Sequence, residues 1–592
     1  MNLRILVLFL LFALTACAQL PTHDGAAKNE KSLGATQEKK ISGADEEKDT
    51  SGAEYEIDES KLPKQKLTAP ILFDFLLGET ALQRGNLDVS VSRYLKLAQT
   101  TRDPRIAKRA SEIALHARQP FAAERAAAMW VEYDPESLDA RQTLAAMLVN
   151  LGRLDAAFPH LEMLMASEPE NTAGAFMQLN QLLTRNPNKG ETLRLIQKLA
   201  QAYPKLPEAH FAVSQAAWYN GDYALASEEM ERALSLRPDW ELAAAQQGKI
   251  LQRTSGKQAI DFYRTYLKKY PDSNDVRITY SQLLIEQGEK DYAAEQLTVL
   301  FETNQNDAEV MVAVGLMATE LFDFDLTEKS LKRALELDYS DANAIHFHLA
   351  RIYEETHQTD LAMASYRQVK RGGRFLPAQI RYADLLAQKG QLKDARTLIQ
   401  QLPTTNDQQK AHLILAEAQI LRRTGSHQEV FNVLDQGLNL LPDYPELLYD
   451  RALAADKIGQ FEILEKDLKR LIEIRPDNAH AYNALGYSYA ERGLRLPEAL
   501  KLIKKAVELL PDDPYIMDSL GWVYYRMGNL TEGLNYLNRA FALNQDSEIA
   551  AHLGEVLWIQ GAQEDAENIW RSALEKDPDN EILLETIKRL KQ

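Results

Sequence analysis

The sequence is short of the residues that most staples and metal sites require. A single Cys in 592 residues excludes an intramolecular disulfide and a Cys-based zinc site. Glycine (27) and proline (22) are each below average, so collagen-like or Pro/Gly-rich low-complexity material is not the bulk of the chain. Positive charge is scarce: 68 Lys and Arg face 86 Asp and Glu, a net charge of −18. Such a chain repels a phosphate backbone, which excludes a general nucleic-acid binder. The apolar run from Ile5 to Leu14 is ten residues, about half of what a bilayer-spanning helix needs. There is no G-x-x-x-x-G-K-[ST], no G-x-S-x-G and no H-E-x-x-H. The eleven His are scattered, and His346 and His348, two apart, fall on different faces of a helix. We therefore expect a non-enzyme with no metal and no cofactor. The rest is 45% hydrophobic and 26% charged, the composition of a folded chain, and its length alone would suggest roughly three to five globular domains.

Arg4 and the apolar run after it form a secretion signal over residues 1–16. The segment Leu14-Thr15-Ala16-Cys17 resembles the bacterial lipobox, where small residues precede a Cys that becomes lipidated. That resemblance implies a mature chain beginning at an acylated Cys17; the alternative is an ordinary signal peptide with an incidental Cys. At about 0.8 kcal/mol per buried CH₂, one acyl chain binds marginally and several anchor firmly. By resemblance to lipoprotein sorting rules, Ala18 in place of Asp implies the outer membrane, with the protein facing the periplasm. Residues 17–68 have almost no apolar periodicity, and "ATQEKKISGADEEKDTSGAEYEIDES" (35–60) cannot bury enough apolar area to offset the entropy of ordering. We expect a disordered tether of about 50 residues, spanning roughly 40 Å.

Beyond the tether the chain repeats. Prolines recur at Pro135, Pro169, Pro204, Pro238 and Pro271, in steps of 34, 35, 34 and 33 residues. They return at Pro442, Pro476, Pro511 and Pro578, with Gln545 in the slot between the last two. Contexts such as "RPDW", "RPDNAHAY", "LPDDPYIM" and "DPDNE" end one helix and start the next, and we expect the Asp to cap the new helix. Between the turns run helical patterns: "YNALGYSYAERG" then "PEALKLIKKAVELLPDD", "MDSLGWVYYRMGN" then "TEGLNYLNRAFALN", and "AAHLGEVLWIQGAQEDAENIWRSALEKDPDN". These resemble the 34-residue tetratricopeptide repeat: Leu520-Gly521 with Tyr524, then Gly533, Leu537 and Ala540; Leu553-Gly554 with Leu557, then Ala566, Trp570 and Ala573. Gly533 replaces the usual Ala and is expected to loosen its helix slightly. Degenerate copies keep the frame through Leu144, Ala157, Ser214, Ala226, Met230, Tyr353, Tyr366, Ala383 and Ala395, while the register between Gly372 and Asn406 stays open. The expected fold is all-α: a tetratricopeptide superhelical solenoid of about fifteen helix-turn-helix repeats over 69–580, closed by a capping helix over 581–592. Lys588, Arg589 and Lys591 give that cap its polar face.

The resemblance also implies where a partner would bind. With Leu-Gly at repeat positions 7 and 8, positions 2, 5, 9, 12 and 13 point into a concave groove. In one copy these are Tyr515, Asp518, Trp522, Tyr525 and Arg526; neighbouring copies contribute His480, Asn483 and Tyr487 on one side and Glu555 and Trp558 on the other. A weaker set is Phe211, Gln215, Trp218 and Tyr219. Trp, Tyr and Arg dominate binding hot spots, and Asn483 would hold an extended peptide by two hydrogen bonds. The competing expectation is that these side chains pack between repeats. The C-terminal runs "DDPYIMDSLGWVYYRMGN" and "EIAAHLGEVLWIQGAQEDAENIWRSALEKDPDN", with the lipobox, tether and repeat number, resemble the long tetratricopeptide lipoproteins of the proteobacterial outer membrane, which include the partner of a periplasmic carboxyl-terminal processing protease. That implies an adaptor which binds the serine protease and presents peptidoglycan hydrolases to it. The alternative is a structural scaffold of an envelope machine, for exopolysaccharide export or cell-wall synthase activation.

Overall fold

The computed structural model describes residues 62–183 and 186–591. The signal segment, Cys17 and the tether as far as residue 61 lie outside the described residues. Among the described residues there are 31 α-helices, a short 3₁₀ turn at Pro169–Asn171 and no strand. We number the helices α1 to α31 in chain order. Fourteen pairs pack as antiparallel hairpins, from α1 (Ala69–Gln83) with α2 (Leu87–Thr101) to α29 (Ser547–Gln560) with α30 (Gln563–Lys576), and the single α31 (Glu581–Lys591) follows; α7 (Thr172–Leu183) and α8 (Lys189–Ala200), in the place of the fourth pair, each pack on the next first helix, Pro207–Asn220. Seven helix pairs belong to a compact unit ending at Thr303; eight pairs and α31 belong to a second unit beginning at Asn304.

The hairpins follow from the repeat chemistry. In the copies 479–509 and 514–543 the first helices are α25 (Ala479–Glu491) and α27 (Pro514–Arg526), and the second are α26 (Leu496–Leu509) and α28 (Leu530–Leu543). The small motif residues set how closely each pair approaches. A Cβ on Gly554 would stand 2.0 Å from Trp570 Nε1, so the indole of α30 fills the space that a side chain would need. A Cβ on Gly521 would stand 2.9 Å from the Gly533 carbonyl oxygen, and one on Gly533 3.2 Å from that of Gly521. Gly533 thus sits where two helices approach closely, and an alanine there would press on the Gly521 carbonyl oxygen. The degenerate copies hold their frame in the same way: Leu144, Ala157, Ser214, Ala226, Met230, Tyr353, Tyr366, Ala383 and Ala395 are all buried.

Capping meets the sequence expectation in "LPDDPYIM", where Asp513 caps the new helix, and differs from it in the other turns. The Asp directly after Pro stays in the turn, and a residue further on caps the helix: Asn478 accepts from Ala481 N at 3.0 Å, Asp513 from Ile516 N at 2.9 Å, and Asn580 from Leu583 N at 3.0 Å. In "RPDW" no side chain caps the helix.

The open register also has a cause. Successive first helices start 33 to 35 residues apart, except that Phe375 to Asp407 is 32 and Asp407 to Pro445 is 38. The second helices over Thr359–Gln368 and Leu392–Gln401 have shrunk to ten residues, and the first helix Asp407–Arg422 has grown to 16.

Candidate partner-binding surface

The C-terminal candidates fall on α25, α27 and α29, the first helices of three consecutive hairpins. Their shared face divides into an inner and an outer set. Asp518, Trp522 and Glu555 are buried, with Trp522 only 4% exposed, and Tyr487 is nearly so. Asn483, Tyr525, Arg526 and Trp558 are half-buried, while His480 and Tyr515 are exposed.

The inner set forms one connected layer. His552 of α29 donates or accepts at both ring nitrogens: Nδ1 lies 2.8 Å from Asp518 Oδ2 and Nε2 lies 3.4 Å from the Tyr487 hydroxyl. The Trp522 ring stacks on its imidazole, centroids 4.2 Å apart and planes at 24°. Trp522 Nε1 donates to Glu491 Oε2 at 2.9 Å, and Arg526 donates to the Glu491 carbonyl oxygen at 2.7 Å with its guanidinium 5.8 Å over the indole. The Tyr525 hydroxyl donates to Glu555 Oε1 at 3.1 Å, and Arg589 of α31 forms an ion pair with the same carboxylate. These contacts join successive repeats, and the one from Tyr487 to His552 reaches past a hairpin to the next but one. For Tyr487, Asp518, Trp522 and Glu555, packing between repeats therefore replaces the expectation of an open groove.

Burial shapes the charges of this layer. It disfavours the His552 cation, but the Asp518 carboxylate overrides it and leaves the imidazole pKa raised. Burial, with Asp546 nearby, raises the Glu548 carboxyl. Burial and the Glu555 charge push the Tyr525 phenol up to about 12. Asp518 Oδ1 and Asn483 Oδ1 are buried and have no hydrogen-bond partner among the described residues. With its carbonyl oxygen closed to solvent, Asn483 does not offer the two-point clamp on an extended peptide in this conformation. What remains open to a partner is the outer set: His480, Tyr515, whose hydroxyl accepts from Asn544 Nδ2 at 3.2 Å, and the exposed edge of Trp558 against Trp570.

The weaker set divides likewise. Phe211 is core, against Trp240 with centroids 4.9 Å apart. Trp218 packs edge-on to Tyr223, 5.1 Å between centroids, under Arg253. Gln215 is half-buried; Tyr219 is exposed, with Lys189 Nζ 5.7 Å from its ring.

Sequence reasoning missed Glu491, His552 and Arg589. One signal was available: Glu491 and Arg526 occupy the same repeat position with opposite charge, and Glu555 and Arg589 do so one position set along. His552 gives no such signal, since its partner Asp518 sits at a neighbouring repeat position. Among the described residues no three or more His, Cys, Asp or Glu are grouped to hold a metal ion, and no helix is long and apolar enough to cross a membrane.

The fold and this surface define a helical-repeat protein, a class that serves generally as a non-catalytic scaffold for protein–protein contacts. A tetratricopeptide repeat model matches residues 449–514 and 519–581, and a second matches 207–239. The chain is 33% identical over 491 residues to the TPR repeat-containing protein PA4667 of Pseudomonas aeruginosa, covering 82% of each chain. It belongs to the tetratricopeptide repeat family. Solved structures similar to parts of it include TTC0263, a thermophilic TPR protein of Thermus thermophilus (24% identity, 31% of this chain and 97% of that one, TM-score 0.28). Another is a tetratricopeptide repeat protein of Parabacteroides merdae (15% identity, 43% and 100%, TM-score 0.35).

Proposed function

We propose that the chain is a lipid-anchored periplasmic scaffold of the outer membrane. In this role it binds a carboxyl-terminal processing serine protease and brings peptidoglycan hydrolases to it as substrates. The reading is supported by a pairing: a series of helical repeats among the described residues from Ala69 to Lys576, downstream of Leu14–Cys17, which resembles a lipobox, and of a polar stretch. Hairpin repeats supply large protein-binding surface, and a tethered stack holds what it binds within reach of the membrane. The protease contributes the catalytic residues; this chain contributes place and proximity.

The test is affinity capture of the tagged full-length protein from envelope extracts. A carboxyl-terminal processing protease should co-purify and be lost when the hairpins are deleted. Recovery of only synthase or export subunits would overturn the proposal in favour of a structural scaffold. The surface is tested with His480→Ala and Tyr515→Ala, both exposed, rather than Trp522→Ala. Removing that buried indole leaves a cavity costing about 3–5 kcal/mol, so lost capture would report unfolding.

A further inference from the structure

Within each unit, every later first helix packs on the second helix of the hairpin before it. Among the described residues, helix α1 has α2 on one side and no helix packed on the other. The side left open is apolar. Ala69, Leu72, Phe73 and Leu76, at i, i+3, i+4 and i+7, are all exposed, Phe73 by 61% and Leu76 by 54%. Exposed Leu67 extends the stripe toward the lead-in segment. The far terminus of the chain is built differently, since α31 ends in Lys588, Arg589 and Lys591. A repeat stack needs a polar outer face at its ends, and a contiguous apolar patch on a folded protein marks an interaction site.

Charge narrows the occupant. Residues 61–109 carry ten Lys and Arg against four Asp and Glu, in a chain whose net charge is −18. Exposed Lys64 and Lys66 precede the stripe and exposed Arg84 follows it, and none of the three has an ion pair among the described residues. A second copy of α1 would set these cations against their own kind. The chain's own residues 44–60 are acidic but hold only Tyr55 and Ile57 as large apolar side chains, too few to cover four helical stripe positions.

We infer that the α1 face docks an amphipathic helix of a partner protein, with an apolar stripe to meet Leu72, Phe73 and Leu76 and Asp or Glu flanks to meet Lys64, Lys66 and Arg84. This deepens the scaffold proposal, on which it rests for the existence of a protein partner, and it places one contact at the membrane-proximal end of the hairpins. It is the helix-in-groove mode of recognition, with the repeat stack supplying one wall.

The experiment uses the full-length protein at native level in its host, with Phe73→p-benzoylphenylalanine as photo-crosslinker and exposed Tyr292→p-benzoylphenylalanine as control. The expected result is an adduct at position 73 alone, mapping by mass spectrometry to an acid-flanked amphipathic helix. Its yield should fall about tenfold or more when Lys64→Glu, Lys66→Glu and Arg84→Glu are combined, with the circular dichroism of the purified protein unchanged. Adducts to lipid, to a second copy or to residues 17–60, or no adduct, would overturn the inference. If the mapped helix belongs to a protein other than a processing protease, the inference stands and the protease proposal falls. If the protease is captured but crosslinks only through the hairpins of α25 to α29, the reverse holds.

Discussion

Single residues in this protein act mainly as spacers and links between hairpins. Gly554 is the clearest spacer. Gly554→Ala forces a methyl into the Trp570 ring, and overpacking of that kind costs about 1–3 kcal/mol; the urea midpoint should fall, with the loss restored by pairing it with Trp570→Leu. His552 is a link whose contribution depends on pH. Its pKa in the fold lies above the unfolded value of about 6.5. The pair with Asp518 therefore stabilises fully below about pH 6.5, and this contribution is lost as pH rises through the folded value. The gap in urea midpoint between wild type and His552→Gln should be widest near pH 6 and shrink toward pH 8.5. A gap that grows with pH would mean that the buried imidazole is held neutral.

At the level of elements, the helices were legible because the repeat imposes the same small and large residues on each copy. Leu520-Gly521 and Trp570 announce their packing in the sequence. The inner layer around Trp522 was not legible. Whether an aromatic on the first helix faces a groove or a neighbouring hairpin depends on how tightly successive hairpins stack, and a single repeat's motif does not encode that. The caps fall where they do for a local reason: Asn478, Asp513 and Asn580 each sit two residues beyond the Pro, and from there their side-chain oxygens accept from the free N–H three residues ahead in the first turn. Helix α31 makes the strongest element-level prediction. Its Leu583 is fully buried and its Arg589 pairs with the buried Glu555. Truncation after Asn580 uncovers both the apolar face of α29 and α30 and an acidic side chain. Amide exchange over 547–576 should then accelerate about tenfold or more relative to 479–509, because neighbouring repeats stabilise each other only locally.

On the scale of the whole molecule, length meant one thing and periodicity another. Three to five domains are replaced, among the described residues, by fifteen helix pairs in two compact units, a partition that motif spacing did not reveal because the 34-residue spacing is kept through Thr303 and Asn304. The anchoring proposal is tested at this scale. Cys17→Ser should release the protein from the membrane fraction with its helical circular dichroism intact, and membrane fractionation without acyl label in the wild type would contradict it. One irregularity bears on how such a chain can be taken apart and rebuilt. Elsewhere a cut at the start of any first helix removes one self-contained module of 33 to 35 residues. From Phe375 to Pro445 a short spacing of 32 is followed by a long one of 38, so the 70 residues between them fall within the usual 33 to 35 per repeat only when taken together. In recombination or in a designed chimera, that stretch is a double cassette. Transplanted whole it keeps every downstream hairpin in frame; split at Asp407, it carries a slip of several residues into everything that follows.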